Sequence, residues 1–148
     1  MSESNKDSAF PELITSEHEE LVRAVREAGD ELASPNRERN RVNDKLIHLS
    51  EFVESHFRQE EQGGYMADAL RHSPQLRARA EALKEQHEQL QEEIDKLQLL
   101  VHSGVESPHW WERVQVDFQH FAARLTNHEH AENQLVQEAF NRDIGGGD

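Results

Sequence analysis

The sequence has no cysteine. That absence excludes a disulfide framework, thiolate metal ligation and thiol catalysis. Long apolar runs are missing too, so no segment reads as a membrane span. The opening "MSESNKDSAF" is polar and lacks the apolar stretch of a signal peptide. The expectation is a soluble, cytoplasmic protein that does not engage a membrane. Basic residues are scarce: 16 Lys and Arg stand against 30 Asp and Glu, a formal charge of −14. Such a surface repels phosphate backbones, which argues against nucleic acid as a partner. Little β-branched alternation occurs, so strands are not expected.

What is present is Glu, Gln, Ala, Leu and Arg, a composition that favours helices. Of the four prolines, three sit in Ser-Pro pairs: Ser34-Pro35, Ser73-Pro74 and Ser107-Pro108. Proline suits the first turn of a helix and not its interior, so each pair marks a helix–helix junction. Four helices are predicted, over about 11–33, 37–62, 75–102 and 108–141, with Gly63-Gly64 ending or kinking the second. The segment "YMADALRH" suits a short extra helical piece. Short junctions between long helices make antiparallel neighbours, hence an all-α, up-down-up-down four-helix bundle. At 148 residues the chain forms one domain, over 10–142, with disordered ends at 1–9 and 143–148.

Ten histidines are a high count for this length. The apolar stripe of each helix, traced in steps of three and four residues, is interrupted by one of them. The first helix gives Ile14, His18, Leu21, Val25, Ala28 and Leu32. The second gives Leu46, Leu49, Val53, His56 and Glu60. The third gives Leu76, Ala80, Leu83, His87, Leu90, Ile94, Leu97 and Val101. The fourth gives Val114, Phe118, Phe121, Leu125, His128, Glu132, Leu135 and Ala139. His130 lies about 200° around the helix from His128 and faces solvent. Glu129 is likewise left off the stripe, and its replacement is expected to be silent. His48, His72, His102, His109 and His120 also read as surface residues. Trp110 and Trp111 should pack one end of the bundle.

In an antiparallel hairpin, residues equidistant from the turn lie at one height. The midpoints of His18 and Glu60, of Glu60 and His87, and of His87 and Glu132 all fall at or near the Ser-Pro junctions. His18, His56, Glu60, His87, His128 and Glu132 should therefore form one buried layer. The chain also repeats itself weakly: a lone histidine precedes a His-x-x-x-Glu turn, twice. Two buried carboxylates need compensation, which bound cations supply. Six ligands exceed one tetrahedral zinc, and imidazole with carboxylate in a four-helix core suits two iron ions, or manganese. Leu21, Val53, Leu83, Leu90, Leu125 and Leu135 should wall the centre and admit only small ligands.

At these residues the sequence resembles the hemerythrin-like (HHE cation-binding) family. The matching pieces are "SEHEEL", "SHFRQEE", "KEQHEQL" and "NHEHAEN", and the resemblance spans about residues 10 to 142. It implies a non-haem di-iron centre held by His18, His56, Glu60, His87, His128 and Glu132. Oxygen carriers of the family have a further histidine one turn along the third helix; here that place is Gln91. They also place an aspartate five residues after the last histidine; here position 133 is Asn, and Glu132 takes the role. Two roughly octahedral irons need about twelve positions, and this set with a bridging oxygen leaves two open. That weakens an oxygen carrier and strengthens a sensor or redox enzyme.

Tyr65, the only tyrosine, suits two roles: a hydrogen bond to a bound oxygen species, or a ring packed over the bundle end. Three function classes then compete. The first is a module that binds or senses O2, NO or iron; with no output domain attached, a sensor would need a protein partner. The second is a di-iron redox enzyme with peroxidase-like, NO-reducing or iron-centre repair activity. The third, a metal-free helical interaction protein, is opposed by the ligand layer. The sequence leaves the choice between binder and enzyme open.

Overall fold

A computed structural model describes residues 2–62, 71 and 73–145, with backbone alone at 2–17, 140 and 142–145. Among the described residues there are four helices and no strand. They are α1 (Ser2–Ala33), α2 (Arg39–Gln62), α3 (Pro74–Ser103) and α4 (Pro108–Gly145). The expectations for Tyr65, Gly63-Gly64, the "YMADALRH" piece and His72 fall wholly or mainly outside the described residues. So does the end of the tail.

The Ser-Pro pairs act as the local chemistry dictates, with one variation. Ser73 is extended, its Oγ accepts the Leu76 N–H at 3.0 Å, and Pro74 opens α3. Ser107 caps α4 in the same way, accepting from the Trp110 N–H at 3.1 Å. Ser34 instead holds a turn. Its Oγ accepts from the Asn36 N–H and its carbonyl accepts from the Arg37 N–H. The turn delays α2 to Arg39, two residues past the predicted start. Two further boundaries differ: α1 begins at Ser2 rather than near residue 11, and α4 runs to Gly145 rather than ending near 141.

Backbone packing joins α1 to α2, α2 to α3, α3 to α4 and α4 to α1, and among the described residues only side chains reach across a diagonal. This is the ring of an up-down-up-down bundle. Both described hairpin turns lie at one end, which the tryptophans close. Trp110 and Trp111 are buried there, with the guanidinium of Arg39 over the first ring and that of Arg37 over the second. Arg39 also donates to the carbonyls of Val101 and His102 at 2.7 and 2.6 Å, tying the start of α2 to the last turn of α3. Gly104 ends α3 where the Trp110 indole and the Leu100 carbonyl leave no room for a Cβ.

The core is in two parts. A large cluster runs from Val42, Leu46, Trp110 and Val114 at the tryptophan end to Leu21, Val53, Phe57, Leu90 and Leu125. A smaller one holds Leu76, Ala80, Leu83, Leu135, Val136 and Ala139. A polar layer lies between them. The predicted stripe positions with described side chains are buried, except that Val25 is only partly so, and Ala24, Val42, Phe57, Glu129 and Val136 are buried in addition.

Candidate metal centre

The polar layer contains His18, His56, Glu60, His87, His128 and Glu132, all six residues singled out from the sequence, and all are buried. The same helical period that buries Leu21, Val53, Leu90 and Leu125 buries them. The six residues share one level because both described hairpins turn tightly at their Ser-Pro junctions.

A seventh residue belongs to the layer. Glu129 was expected to lie off the stripe, and the structure corrects this: it is only 5% exposed. One carboxylate oxygen is 2.6 Å from His18 Nε2, and the other is 3.2 Å from His56 Nε2. The signal that sequence reasoning missed is one of helical spacing. Glu129 follows Leu125 by four residues and precedes Val136 by seven, so two buried side chains bracket it on one face. An apolar helix stripe is about 100° wide, and Glu129 falls on its edge. His130 is exposed as expected, as are His48, His102, His109 and His120.

Ligand-capable atoms form two overlapping groups. His18, His56, Glu60, Glu129 and Glu132 make one; Glu60, His87, His128 and Glu132 make the other. Within each, one atom per residue lies within 4.8 Å of all the rest. Glu60 and Glu132 are common to both groups and stand between the two histidine pairs.

The imidazoles present Nε2 to the cage. His56 and His128 Nε2 lie 3.2 and 3.3 Å from Glu60 and Glu132 of their own helices. His87 Nε2 reaches Glu132 at 3.1 Å, and His18 Nε2 reaches Glu60 at 3.3 Å. Behind two of the rings, acceptors fix the orientation. His87 Nδ1 donates to Glu61 at 2.8 Å, and His128 Nδ1 donates to Gln86 Oε1 at 2.7 Å. With the proton held at Nδ1, the Nε2 lone pair is free for a cation, the usual backing of a metal-bound histidine. Gln91, at the place of the carriers' extra histidine, is turned toward Ser50 and Asp95 and stays out of the cage.

Without a cation, protons balance the carboxylates. Burial pulls the His18 pKa down, but Glu129 and Glu60 outweigh it and hold the value up at about 9. The same contest leaves His56 at about 11, through Glu129 and Glu60. His87 stands at about 10, through Glu132, Glu60 and Glu61. For Glu132, burial pushes upward, yet His128 and His87 hold its carboxyl well below the usual range. This proton pairing is incomplete. The buried atoms His18 Nδ1, Glu60 Oε1, His128 Nε2 and Glu129 Oε1 make no hydrogen bond. Three of these are potential cation ligands facing the layer, so the donor set fits a bound metal better than it fits itself.

The surroundings are apolar. Leu21, Val53, Leu83, Leu90, Leu125 and Leu135 are all buried around the layer, as the sequence suggested. Phe57 adds an aromatic plate that sequence reasoning had passed over. Its ring stacks on His87 at 4.0 Å and meets His128 edge-on at 5.3 Å. Two surface grooves touch the cage. One between α1 and α4 reaches His18 and Glu129 beside Val22 and Arg26. One between α3 and α4 reaches His128 beside Gln86 and Leu90. No helix of the described residues is long and apolar enough to cross a membrane.

Comparison with protein-family models gives a match over residues 9–140 to the hemerythrin HHE cation binding domain. Comparisons with curated proteins and with solved structures give no match.

Proposed function

The chain belongs to the hemerythrin HHE cation-binding family, and we propose that its buried cage holds two iron ions and binds O2, NO or a related small oxidant. The observation that carries this reading is the pair of ligand groups sharing Glu60 and Glu132. Two carboxylates common to two histidine pairs suit bridging, which spreads negative charge over two cations. In this reading His18 and His56 serve one metal, and His87 and His128 serve the other. Imidazole and carboxylate without sulfur favour iron, with manganese as the second choice. Bound iron supplies one-electron redox chemistry and an open coordination position.

The protein's own share is orientation and exclusion. Glu61 and Gln86 hold two imidazoles with Nε2 inward. The leucine wall and Phe57 line the cage with apolar side chains, a lining that suits an apolar diatomic better than bulky polar molecules. The charge of −14 argues against nucleic acid. We place the protein in the cytoplasm, as a binding or sensing module that would act through a protein partner.

Anaerobic loading with Fe(II), elemental analysis and optical spectra on adding O2 or NO test the proposal. About two irons per chain and a new stable absorption band are expected. One zinc and no iron under iron-replete conditions would overturn it. A third carboxylate near the pair, Glu129, favours the oxidised metal and gives the redox-enzyme reading a specific footing. Catalytic turnover of peroxide or NO in the same samples would select that reading.

A further inference from the structure

The two grooves that touch the cage differ in charge. The α3/α4 groove has one basic residue, Arg124, and its guanidinium lies 2.6 Å from Glu93. The α1/α4 groove has two, Arg23 and Arg26. Both are exposed, and among the described residues neither forms an ion pair or a hydrogen bond. The chain carries 30 acidic residues against 16 basic ones. Elsewhere on its surface Arg41, Arg58 and Arg79 each lie against a carboxylate.

Helical spacing gathers the groove's charges. Arg23 and Arg26 stand about 7.5 and 12 Å along the α1 axis from His18. Side chains on a helix tilt toward its N-terminus, which favours the reach of both guanidiniums toward the level of His18. The cavity holds about 470 Å³, far more than a diatomic needs and the size of a site for a small organic molecule. His18 and Glu129, both buried cage residues, line it at depth, and Glu19 adds a carboxylate nearer the surface. Val22, 45% exposed, gives it an apolar wall.

The groove therefore presents both signs of charge. A bare cation meets two unpaired arginines there, and a bare anion meets Glu19 and Glu129. A metal chelate satisfies both, with oxyanions outside and the cation within. We propose that this groove docks iron carried by a small polycarboxylate, with carboxylates on Arg23 and Arg26 and the cation toward His18 and Glu129. This rests on the iron reading above. The planar guanidinium matches a carboxylate at two points. Val22 suits the carbon chain of such a chelator, which inorganic oxyanions lack. Transfer into the cage is ligand exchange with no change of oxidation state. Bonds from Fe(II) to chelator oxygens break as bonds to Glu129 and His18 Nε2 form. The proton on His18 passes to solvent, and the chelator leaves with its negative charge.

Iron uptake by the whole metal-free chain tests this. Fe(II) is supplied anaerobically, either with excess citrate or without chelator in a non-coordinating buffer. Protein-bound iron is measured over time by elemental analysis after rapid desalting. Arg23→Gln/Arg26→Gln should slow uptake from citrate about 10-fold, the loss of two guanidinium–carboxylate contacts, and should not slow uptake of unchelated Fe(II). Circular dichroism checks that the variant is folded. Lys84→Gln/Arg124→Gln removes the same charge from exposed positions outside the α1/α4 groove. It should stay close to wild type with both iron sources. Equal slowing by the two double variants, or unchanged uptake from citrate in the first, overturns the inference while the two-iron reading stands. A wild-type chain that retains no iron from either source overturns both.

Discussion

The ring of Phe57 lies flat on the ring of His87, centroids 4.0 Å apart and planes within 7°. Phe57 also belongs to the large apolar cluster. One side chain therefore serves as core and as cover for the cage. Phe57→Ala should cost about 3–5 kcal/mol, as expected for emptying a buried aromatic site. Phe57→Leu should cost much less. Urea denaturation of the metal-free forms measures both; equal, negligible losses would mean that the ring packs loosely.

The pH dependence of the metal-free protein follows from its raised histidines. His18, His56 and His87 have folded values of about 9, 11 and 10 against 6.5 when unperturbed. A raised folded pKa gives stability that is complete below the unfolded value and lost as pH rises through the folded one. Glu132 is lowered, so its contribution is present above 4.5 and lost on acidification. The metal-free chain should be most stable between about pH 4.5 and 6.5 and weaken steadily toward pH 9 and beyond. Stabilisation by metal should run the other way and grow with pH, because cation and protons compete for the same imidazoles. Melting curves with and without metal across this range check both slopes. A metal-free stability that rises toward pH 9 would contradict the proton pairing.

Neighbouring residues in "NHEHAEN" should behave differently. His128→Ala should lower the metal retained after gel filtration, and Glu132→Ala should do the same. His130→Ala, on an exposed position, should retain the wild-type amount. Loss of metal in His130→Ala alone would put the register of α4 in error.

Gly104→Ala should destabilise the bundle by about 1–3 kcal/mol, because the added methyl meets the Trp110 indole and the Leu100 carbonyl. The cage lies away from this turn, so metal content should be unchanged. Denaturant midpoints and elemental analysis separate the two effects.

Much of this architecture was legible in the sequence because one period governs both core and cage. Leu83, His87 and Leu90 are read by the same steps, and Ser73-Pro74 and Ser107-Pro108 are local signals that need no tertiary context. Glu129 was not legible from that pattern. A charged residue at the edge of a stripe is ordinarily solvated, and only its neighbours across the bundle, His18 and His56, make burial favourable. Phe57 escaped notice for the converse reason: an apolar residue in a bundle reads as core, and its stacking on His87 depends on how α2 and α3 face each other. Likewise the exchange of Val25 for Ala24 reflects how closely α1 approaches its neighbours, which composition does not encode.

The division of the core has a mechanical consequence. The smaller cluster draws its described members from α3 and α4, and the cage separates it from the larger one. The cage is thus the joint between two storeys of the bundle. With cations in place, four helices are clamped at that level and the storeys should open together. With protons alone, the far storey can loosen by itself, as a separate cooperative unit. Occupancy of a buried site would then be written on the outside of the molecule, as the local firmness of the end far from the tryptophans.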